Sequence, residues 1–197
     1  MTKHRMELFT DGVFAIVLTL LVLDLKVPGA RGWAGAVEIG PALVVHAATF
    51  VIVGTFWYVH HGQFARVTEI TSGVILFNLV MLFWITLLPF CAKTIAAFPT
   101  DPLGASLISA DCALCKLSMM ATRLSAHSAI DDNEAMRSWR RGRLAIVWIL
   151  ILADLLGAGL AWVNPWFGYG APLATVAVFL GLAAPPDAER KIGLRTA

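Results

Sequence analysis

Long apolar stretches, separated by short polar or turn-forming segments, dominate the hydropathy pattern of this 197-residue chain. An apolar helix of roughly 20 residues crosses the hydrocarbon core of a bilayer, and a crossing segment has to be helical because no water satisfies a bare backbone there. The pattern therefore predicts an all-α, polytopic membrane protein whose six transmembrane helices form one domain over residues 1–197. The predicted helices cover residues 9–27, 41–61, 73–92, 103–122, 144–163 and 166–184.

Proline residues mark several of the predicted helix ends. Pro28 stops the first helix, Pro41 takes the favoured first turn of the second, and Pro165 separates the fifth helix from the sixth. The fourth helix is the least apolar of the six, because it contains Asp111 and Lys116. The even number of crossings depends on this helix.

Composition supports a membrane protein and excludes an ordinary soluble domain. Hydrophobic residues make up 58% of the chain and charged residues only 14%, whereas soluble domains carry about 25% charged residues. The three cysteines lie in apolar sequence, so we expect no disulfide framework. The first apolar run lacks a small-residue cleavage site, and we expect it to remain in the mature protein.

The distribution of basic residues tests the number of crossings, because lysine and arginine accumulate on the cytoplasmic side of short loops. With six crossings and both termini in the cytoplasm, the outer loops hold only Lys26, Arg31 and Lys93. We interpret the basic cluster at 137–143 as a topology signal and an anchor for membrane lipids, and not as a nucleic-acid site. The cytoplasmic segments then hold Lys3, Arg5, Arg66, Arg123, Arg137, Arg140, Arg141, Arg143, Arg190, Lys191 and Arg195.

One face of the first helix forms a mostly apolar stripe. Residues three, four or seven apart share a helix face, which groups Ile16, Thr19 and Leu23 and leaves Asp11 on another side. Around the axis of an oligomer, Ile16 and Leu23 would form stacked apolar rings with the Thr19 hydroxyl between them, and such constrictions gate by dewetting. Ordinary helix packing, with Thr19 bonded back to its own helix, explains the same stripe.

Several ionisable residues fall inside predicted helices. One interpretation makes Asp111, Lys116 and Asp154 a proton or substrate relay. In the other, Lys116 pairs with an acidic neighbour or extends its side chain to the membrane interface. His60 and His61 are adjacent and point about 100° apart on a helix. We therefore expect one of them to pack inward and the other to face the cytoplasmic interface.

The string RMELFTDGVFAIVLTLLVLDLKVP contains an Arg-x-x-x-Phe-Ser/Thr-Asp motif, and FVIVGTFWYVHHGQF and ILFNLVMLFWITLLPF follow in the next two helices. This set of segments resembles the transmembrane protein 175 family of potassium channels, which occurs in endolysosomes and in prokaryotes. The resemblance covers about the first ninety residues. At 197 residues the chain is similar to the prokaryotic kind, which has one six-helix repeat per chain.

The resemblance implies a homotetramer around a central pore lined by the first helix. The narrowest ring of the pore would fall on Ile16, a hydroxyl ring on Thr19 and an outer apolar ring on Leu23, with Leu20 as a weaker candidate. Thr10 departs from the family pattern, because serine is commonest at that position.

The polar motif before the pore stripe has a different implied role. By the resemblance, it would not conduct ions and would instead brace the first helix against its neighbours through hydrogen bonds. The residues implied in this brace are Arg5, Phe9, Thr10, Asp11, Trp57, His60, His61 and Asn78.

The function that follows is a potassium-selective cation channel of the prokaryotic cell membrane, with K⁺ as the permeant ion, no cofactor and no carbonyl filter. The motif Gly168-Tyr169-Gly170 resembles the end of the carbonyl filter TVGYG, but Trp-Phe precedes it, and we interpret it as a turn between helices. The alternative is a proton-coupled carrier that uses Asp11, Asp111, Asp154 and the histidines. An enzyme is not expected, because no GxSxG, HExxH or comparable motif is present.

Overall fold

The computed structural model describes residues 2–23, 25–65, 67, 69–126 and 134–182, and within these the side chains of residues 134–143 and 179–182 are left out. The described chain folds into six α-helices, which confirms the predicted all-α class. In chain order these helices are α1 (Lys3–Leu23), α2 (Gly32–Phe64), α3 (Ser72–Ala97), α4 (Pro102–Ser125), α5 (Glu134–Leu160) and α6 (Pro165–Leu182).

Several helix ends differ from the sequence prediction: α3 continues to Ala97 instead of 92, and α5 begins at Glu134 instead of 144. The first two helices show the difference most clearly. Helix α1 ends at Leu23, and residues 25–28 have no regular structure. Helix α2 begins at Gly32, so Pro41 lies inside it and does not mark its first turn. Proline inside a membrane helix is tolerated where neighbouring groups satisfy the carbonyl that it frees, which is why a proline by itself does not locate a helix start.

The prediction that Gly168, Tyr169 and Gly170 form a turn is wrong. Residues 161–164 make the turn, and α6 already begins at Pro165, where the Asn164 side chain accepts a hydrogen bond from the Trp166 N–H at 3.1 Å. Proline suits the first turn of a helix because its missing N–H would have no partner there.

Gly168 is needed for the close approach of α6 to α4. A Cβ atom at this position would lie 2.6 Å from the Ala105 carbonyl oxygen, and the Ser109 hydroxyl donates to the Gly168 carbonyl at 2.9 Å. Small residues at such crossings let helix backbones pack closely in membranes. The glycine therefore serves helix packing.

Helix α4 is the most buried of the four long apolar helices of the described chain. It packs against α3, α5 and α6, whereas α1 packs against α2 and α3. In the most apolar part of α4, 67% of the residues are buried by the rest of the chain, against 17% in α2. The polar residues that make α4 the least apolar helix are therefore shielded by protein and not exposed to lipid.

Four helices, α1 to α4, are long and apolar enough to cross a membrane, and a shorter apolar stretch covers Leu144–Leu160 among the residues whose side chains are described. Three tryptophans have exposed side chains near helix ends: Trp33 at the start of α2, Trp162 just after α5 and Trp166 at the start of α6. Because successive helices run in opposite directions, these three positions lie at the same end of the bundle. Exposed tryptophans at helix ends are typical of a membrane–water interface.

Candidate functional site: the first helix and its supports

Helix α1 has a buried face that packs on its own chain. Met6, Thr10, Phe14, Val17 and Leu21 are buried at spacings of three and four residues, which places them on one side of the helix. Phe14, Val17 and Leu21 belong to the main hydrophobic core together with residues of α2, α3 and α4. This face holds α1 in the protomer.

The predicted pore stripe lies on a different face, which the described part of the chain leaves uncovered. Ile16 is 59% exposed, Leu20 is 44% exposed and Leu23 is 76% exposed, and Thr19 is also exposed. Packing within one chain therefore does not account for the stripe. An apolar face of this kind is available to lipid or to another copy of the protein.

The Thr19 hydroxyl bonds back to its own helix, as one interpretation of the sequence expected. It donates to the Ile16 carbonyl oxygen at 2.8 Å. A hydroxyl has one donor and two acceptor lone pairs, so its oxygen still has acceptor capacity on the exposed face. The local hydrogen bond is therefore compatible with a hydroxyl ring that faces an ion pathway.

A chain of hydrogen bonds joins the first three helices behind the stripe. The Asn78 side chain of α3 donates from Nδ2 to the Thr10 hydroxyl of α1 at 2.9 Å, and its Oδ1 lies 2.8 Å from His60 Nε2 of α2. All three residues are buried, and His60 stacks on Phe64 at a ring-centroid distance of 4.2 Å. Asn78 thus uses both ends of its amide to connect α1 with α2.

A second, more exposed contact links α1 to α2. The Trp57 indole N–H donates to Asp11 Oδ1 at 2.9 Å, and the Trp57 ring stacks on His61 at 6.0 Å between centroids. His61 is exposed while His60 is buried, as the angle between adjacent helix positions requires. Asp11 therefore faces α2.

Two residues of the motif lie outside these contacts within one chain. The Arg5 side chain is exposed, and its backbone N–H donates to the Thr2 hydroxyl at 3.4 Å. Phe9 is also exposed. Among the described residues, the hydrogen-bonded support of α1 consists of Thr10, Asp11 and their partners, without the guanidinium of Arg5.

The loop that follows Leu23 is held against the start of α2. The Glu38 carboxylate accepts hydrogen bonds from the backbone N–H groups of Gly29 and Ala30, both at 3.1 Å. The Ala30 carbonyl also packs so closely that a Cβ at Gly35 would lie 2.4 Å from its oxygen. Sequence reasoning missed Glu38, because its partners are backbone groups several residues away.

A buried ion pair joins α4 to α5. The Lys116 ammonium of α4 is hydrogen-bonded to Asp154 of α5, whose other carboxyl oxygen accepts from the Thr175 hydroxyl of α6 at 3.4 Å. The ammonium also lies 5.6 Å from the centre of the Phe56 ring. The expectation that Lys116 pairs with an acidic residue is confirmed. The sequence did not identify Asp154 as that residue.

The carboxylates of the alternative carrier hypothesis have separate environments. Asp11 bonds to Trp57, Asp154 bonds to Lys116, and Asp111 has no hydrogen-bond partner among the described residues. Within that part of the chain, no group of three or more histidine, cysteine or acidic side chains could hold a metal ion. Among the described residues, these three carboxylates therefore have no hydrogen-bond partner in common.

Comparison with known proteins places these features in a family. The sequence profile of the family described as "Endosomal/lysosomal potassium channel TMEM175" matches residues 5–89. A potassium channel from Chryseobacterium is 31% identical over 175 residues, which cover 86% of this chain and 88% of that protein. The human endosomal/lysosomal proton channel TMEM175 is 32% identical over 114 residues, which cover 52% of this chain and 23% of the human protein.

A solved structure has the same fold. The crystal structure of a lysosomal potassium-selective channel TMEM175 homolog from Chamaesiphon minutus matches with a TM-score of 0.77 and 21% identity, over 93% of this chain and 98% of that one. At this identity the match establishes the fold, while the Chryseobacterium relative establishes the family over most of the length of both proteins. This chain therefore belongs to the TMEM175 family of potassium channels.

Proposed function

We propose that this protein is a potassium-selective channel in which four copies of the chain surround a pore lined by α1. The observation that supports this arrangement best is the exposed apolar face of α1, because Ile16, Thr19 and Leu23 lie on it while other residues of the helix fill the protomer core. Four copies around an axis would cover this face. The Chryseobacterium relative, which this chain matches over most of its length, is named a potassium channel.

Selectivity in this proposal comes from side chains of α1. The apolar ring of Ile16 forms the constriction, where an ion loses part of its hydration shell, and Leu23 forms a second apolar ring further out. The Thr19 hydroxyl between them offers oxygen acceptors to a partly dehydrated ion. Hydrophobic constrictions of this kind control permeation through wetting and dehydration, without a filter of backbone carbonyls.

The location of Gly168 to Gly170 supports a pore without a carbonyl filter. These residues lie inside α6, where backbone carbonyls belong to the hydrogen-bond ladder of the helix. They are therefore not arranged as the extended loop that a carbonyl filter requires.

The proposed topology has six crossings with both termini in the cytoplasm of a prokaryotic cell. The basic residues support it by the positive-inside rule, since Lys3, Arg5 and Arg123 then share the inner side with the start of α5. Arg66, Arg190, Lys191 and Arg195 contribute to the same bias, but they lie outside the described residues, as do the last two residues of the sixth predicted helix.

A reversal-potential measurement tests the channel directly. Purified protein in a planar bilayer, with K⁺ on one side and Na⁺ on the other, is expected to show unitary currents and a reversal potential on the potassium-selective side of zero. Protein-free bilayers provide the control. Saturable transport at a fixed ion-to-proton ratio, without unitary currents, would contradict the channel and favour the carrier.

Protons are a second candidate permeant ion, because the vertebrate relatives are named proton channels. The same bilayer with a pH difference and equal K⁺ on both sides separates the two ions. A reversal potential that follows the proton gradient would assign proton permeation to this chain, whereas a potential that stays at zero would restrict the pore to larger cations.

A further inference from the structure

Asp111 of α4 is buried without a polar partner. Its side chain is 5% exposed, and neither carboxyl oxygen has a hydrogen-bond partner in the part of the chain that the structure describes. Asp154 shows the opposite arrangement, because it is also buried but is bonded to Lys116 and Thr175. Asp111 and Asp154, both buried, therefore lie in contrasting surroundings.

The groups around Asp111 do not supply a compensating positive charge. The Asp111 carboxyl group interacts electrostatically with three thiols, those of Cys112 and Cys115 on α4 and that of Cys91 on α3. All three cysteines are buried and uncharged as thiols. Thiols are weak hydrogen-bonding partners and carry no positive charge.

Among the side chains that the structure describes, the other charged or titratable groups considered on the helices packed against α4 are engaged elsewhere or exposed. Lys116 is bonded to Asp154 of α5, so its charge is already matched. On α6 the Tyr169 hydroxyl donates to the Pro99 carbonyl at 2.9 Å, and on α3 Lys93 is exposed. No cation among the described residues of these helices hydrogen-bonds to Asp111.

A bare carboxylate in this environment is strongly disfavoured. Burying an isolated ionised carboxylate in a medium of low dielectric constant is so unfavourable that in practice such a group is neutralised. Binding a proton removes the net charge, after which the cost of burial is the much smaller cost of burying a neutral polar group.

We propose that Asp111 is an intramembrane proton-binding site, at which each protomer holds one proton between α3 and α4. The bound proton keeps these two helices packed, and α3 in turn carries Asn78, which holds α1 through Thr10. The site therefore stabilises the position of α3, which holds α1 through the Asn78–Thr10 hydrogen bond. This assignment goes beyond the proposed channel function and does not depend on which ion permeates.

Infrared spectroscopy of the full-length protein in lipid vesicles tests the assignment. The C=O stretch of a protonated carboxyl group is separate from the stretches of a carboxylate. We expect Asp111→Asn to remove one protonated-carboxyl band per protomer at neutral pH, whereas Asp101→Asn, at an exposed helix cap, removes a carboxylate band. Loss of a carboxylate band in Asp111→Asn would overturn the proposal, because the group would then be ionised.

Stability as a function of pH gives an independent readout. A group that keeps its proton in the folded state and releases it in the unfolded state makes folding less favourable as pH rises. We expect the thermal midpoint of the wild-type protein to fall as pH rises above about 4, where an aspartate of the unfolded chain ionises, and that of Asp111→Asn to change less. Asp111→Ala serves as a second variant should the amide fail to fold, and equal pH profiles in wild type and a folded variant would contradict the site.

Discussion

At the residue scale, the first helix divides its side chains between two tasks. Thr10, Phe14 and Val17 face the protomer, while Ile16, Thr19 and Leu23 face away from it. The polar residues near the start of the helix connect it to α2 and α3, and the apolar stripe is left for contacts beyond the chain. Substitutions on the two faces should therefore affect different properties.

Ile16→Asn is expected to change permeation and not stability. If Ile16 forms the constriction, an amide ring would lower the dehydration barrier, so we expect higher conductance or a weaker preference for K⁺ over Na⁺. The measurement is single-channel current with bi-ionic reversal potentials. Val22→Asn, which is exposed on another side of α1, is the control, and unchanged permeability ratios in Ile16→Asn would remove Ile16 from the constriction.

Thr10 offers a matched pair of substitutions in the support of α1. Thr10→Val removes the acceptor of the Asn78 amide and leaves a buried donor unsatisfied, which costs about 1–3 kcal/mol. Thr10→Ser keeps the hydroxyl and should retain most of the stability. Unfolding in detergent or lipid compares the two variants with wild type, and equal stability of Val and Ser at this position would argue against a role for the 2.9 Å hydrogen bond.

At the scale of helices, α4 shows how a polar helix is accommodated. Of the four candidate membrane spans, α4 has the lowest hydropathy, yet the largest share of its residues is buried. Its neighbours α3, α5 and α6 cover its polar groups, and the Lys116–Asp154 pair joins it to α5. Polar residues inside a membrane are tolerated where protein surrounds them.

The ion pair between α4 and α5 predicts a non-additive result. Lys116→Met alone leaves Asp154 buried without its cationic partner, and breaking a buried pair in this way costs about 3–5 kcal/mol. The double variant Lys116→Met with Asp154→Leu should be less destabilised than Lys116→Met alone, because no buried carboxyl group is left without its partner. Thermal unfolding is measured for the wild type, Lys116→Met, Asp154→Leu and the double variant. If the destabilisation of the double variant equals the sum of the two single effects, the two groups do not interact.

At the scale of the whole molecule, one protomer leaves an apolar face of α1 uncovered. The described chain buries α1 on one side only, so the remaining side needs lipid or another copy. A pore requires other copies, since a single α1 cannot enclose a path. Assembly is therefore part of the proposed function and not an addition to it.

Cross-linking distinguishes a central α1 from a lipid-facing one. Leu23→Cys, on the exposed stripe, should form disulfides between subunits under mild oxidation, because residues near an axis lie close to their copies. Val17→Cys, which is buried within the protomer, should not. Denaturing gels without reductant report the linked species, and equal behaviour of the two variants would contradict a pore lined by this stripe.

Much of the fold follows from local features of the sequence. The length of the apolar runs predicted six helices, because the bilayer sets a minimum length and forces helical structure. The periodicity of α1 separated Ile16 and Leu23 from Asp11, since side-chain direction follows from helix geometry. Helix ends were less well predicted, as α2 shows by continuing through Pro41.

By itself, then, the sequence determined the class of protein, the six helices found in the described residues and which residues of α1 share a face. These properties follow from bilayer thickness and helix periodicity, which act on neighbouring positions. Only the tertiary structure decided which residues meet. Asn78 finds Thr10 and His60 from two other helices, Lys116 finds Asp154, and Asp111 finds no hydrogen-bond partner among the described residues. These outcomes depend on how the helices pack, since the partners lie many residues apart in the chain.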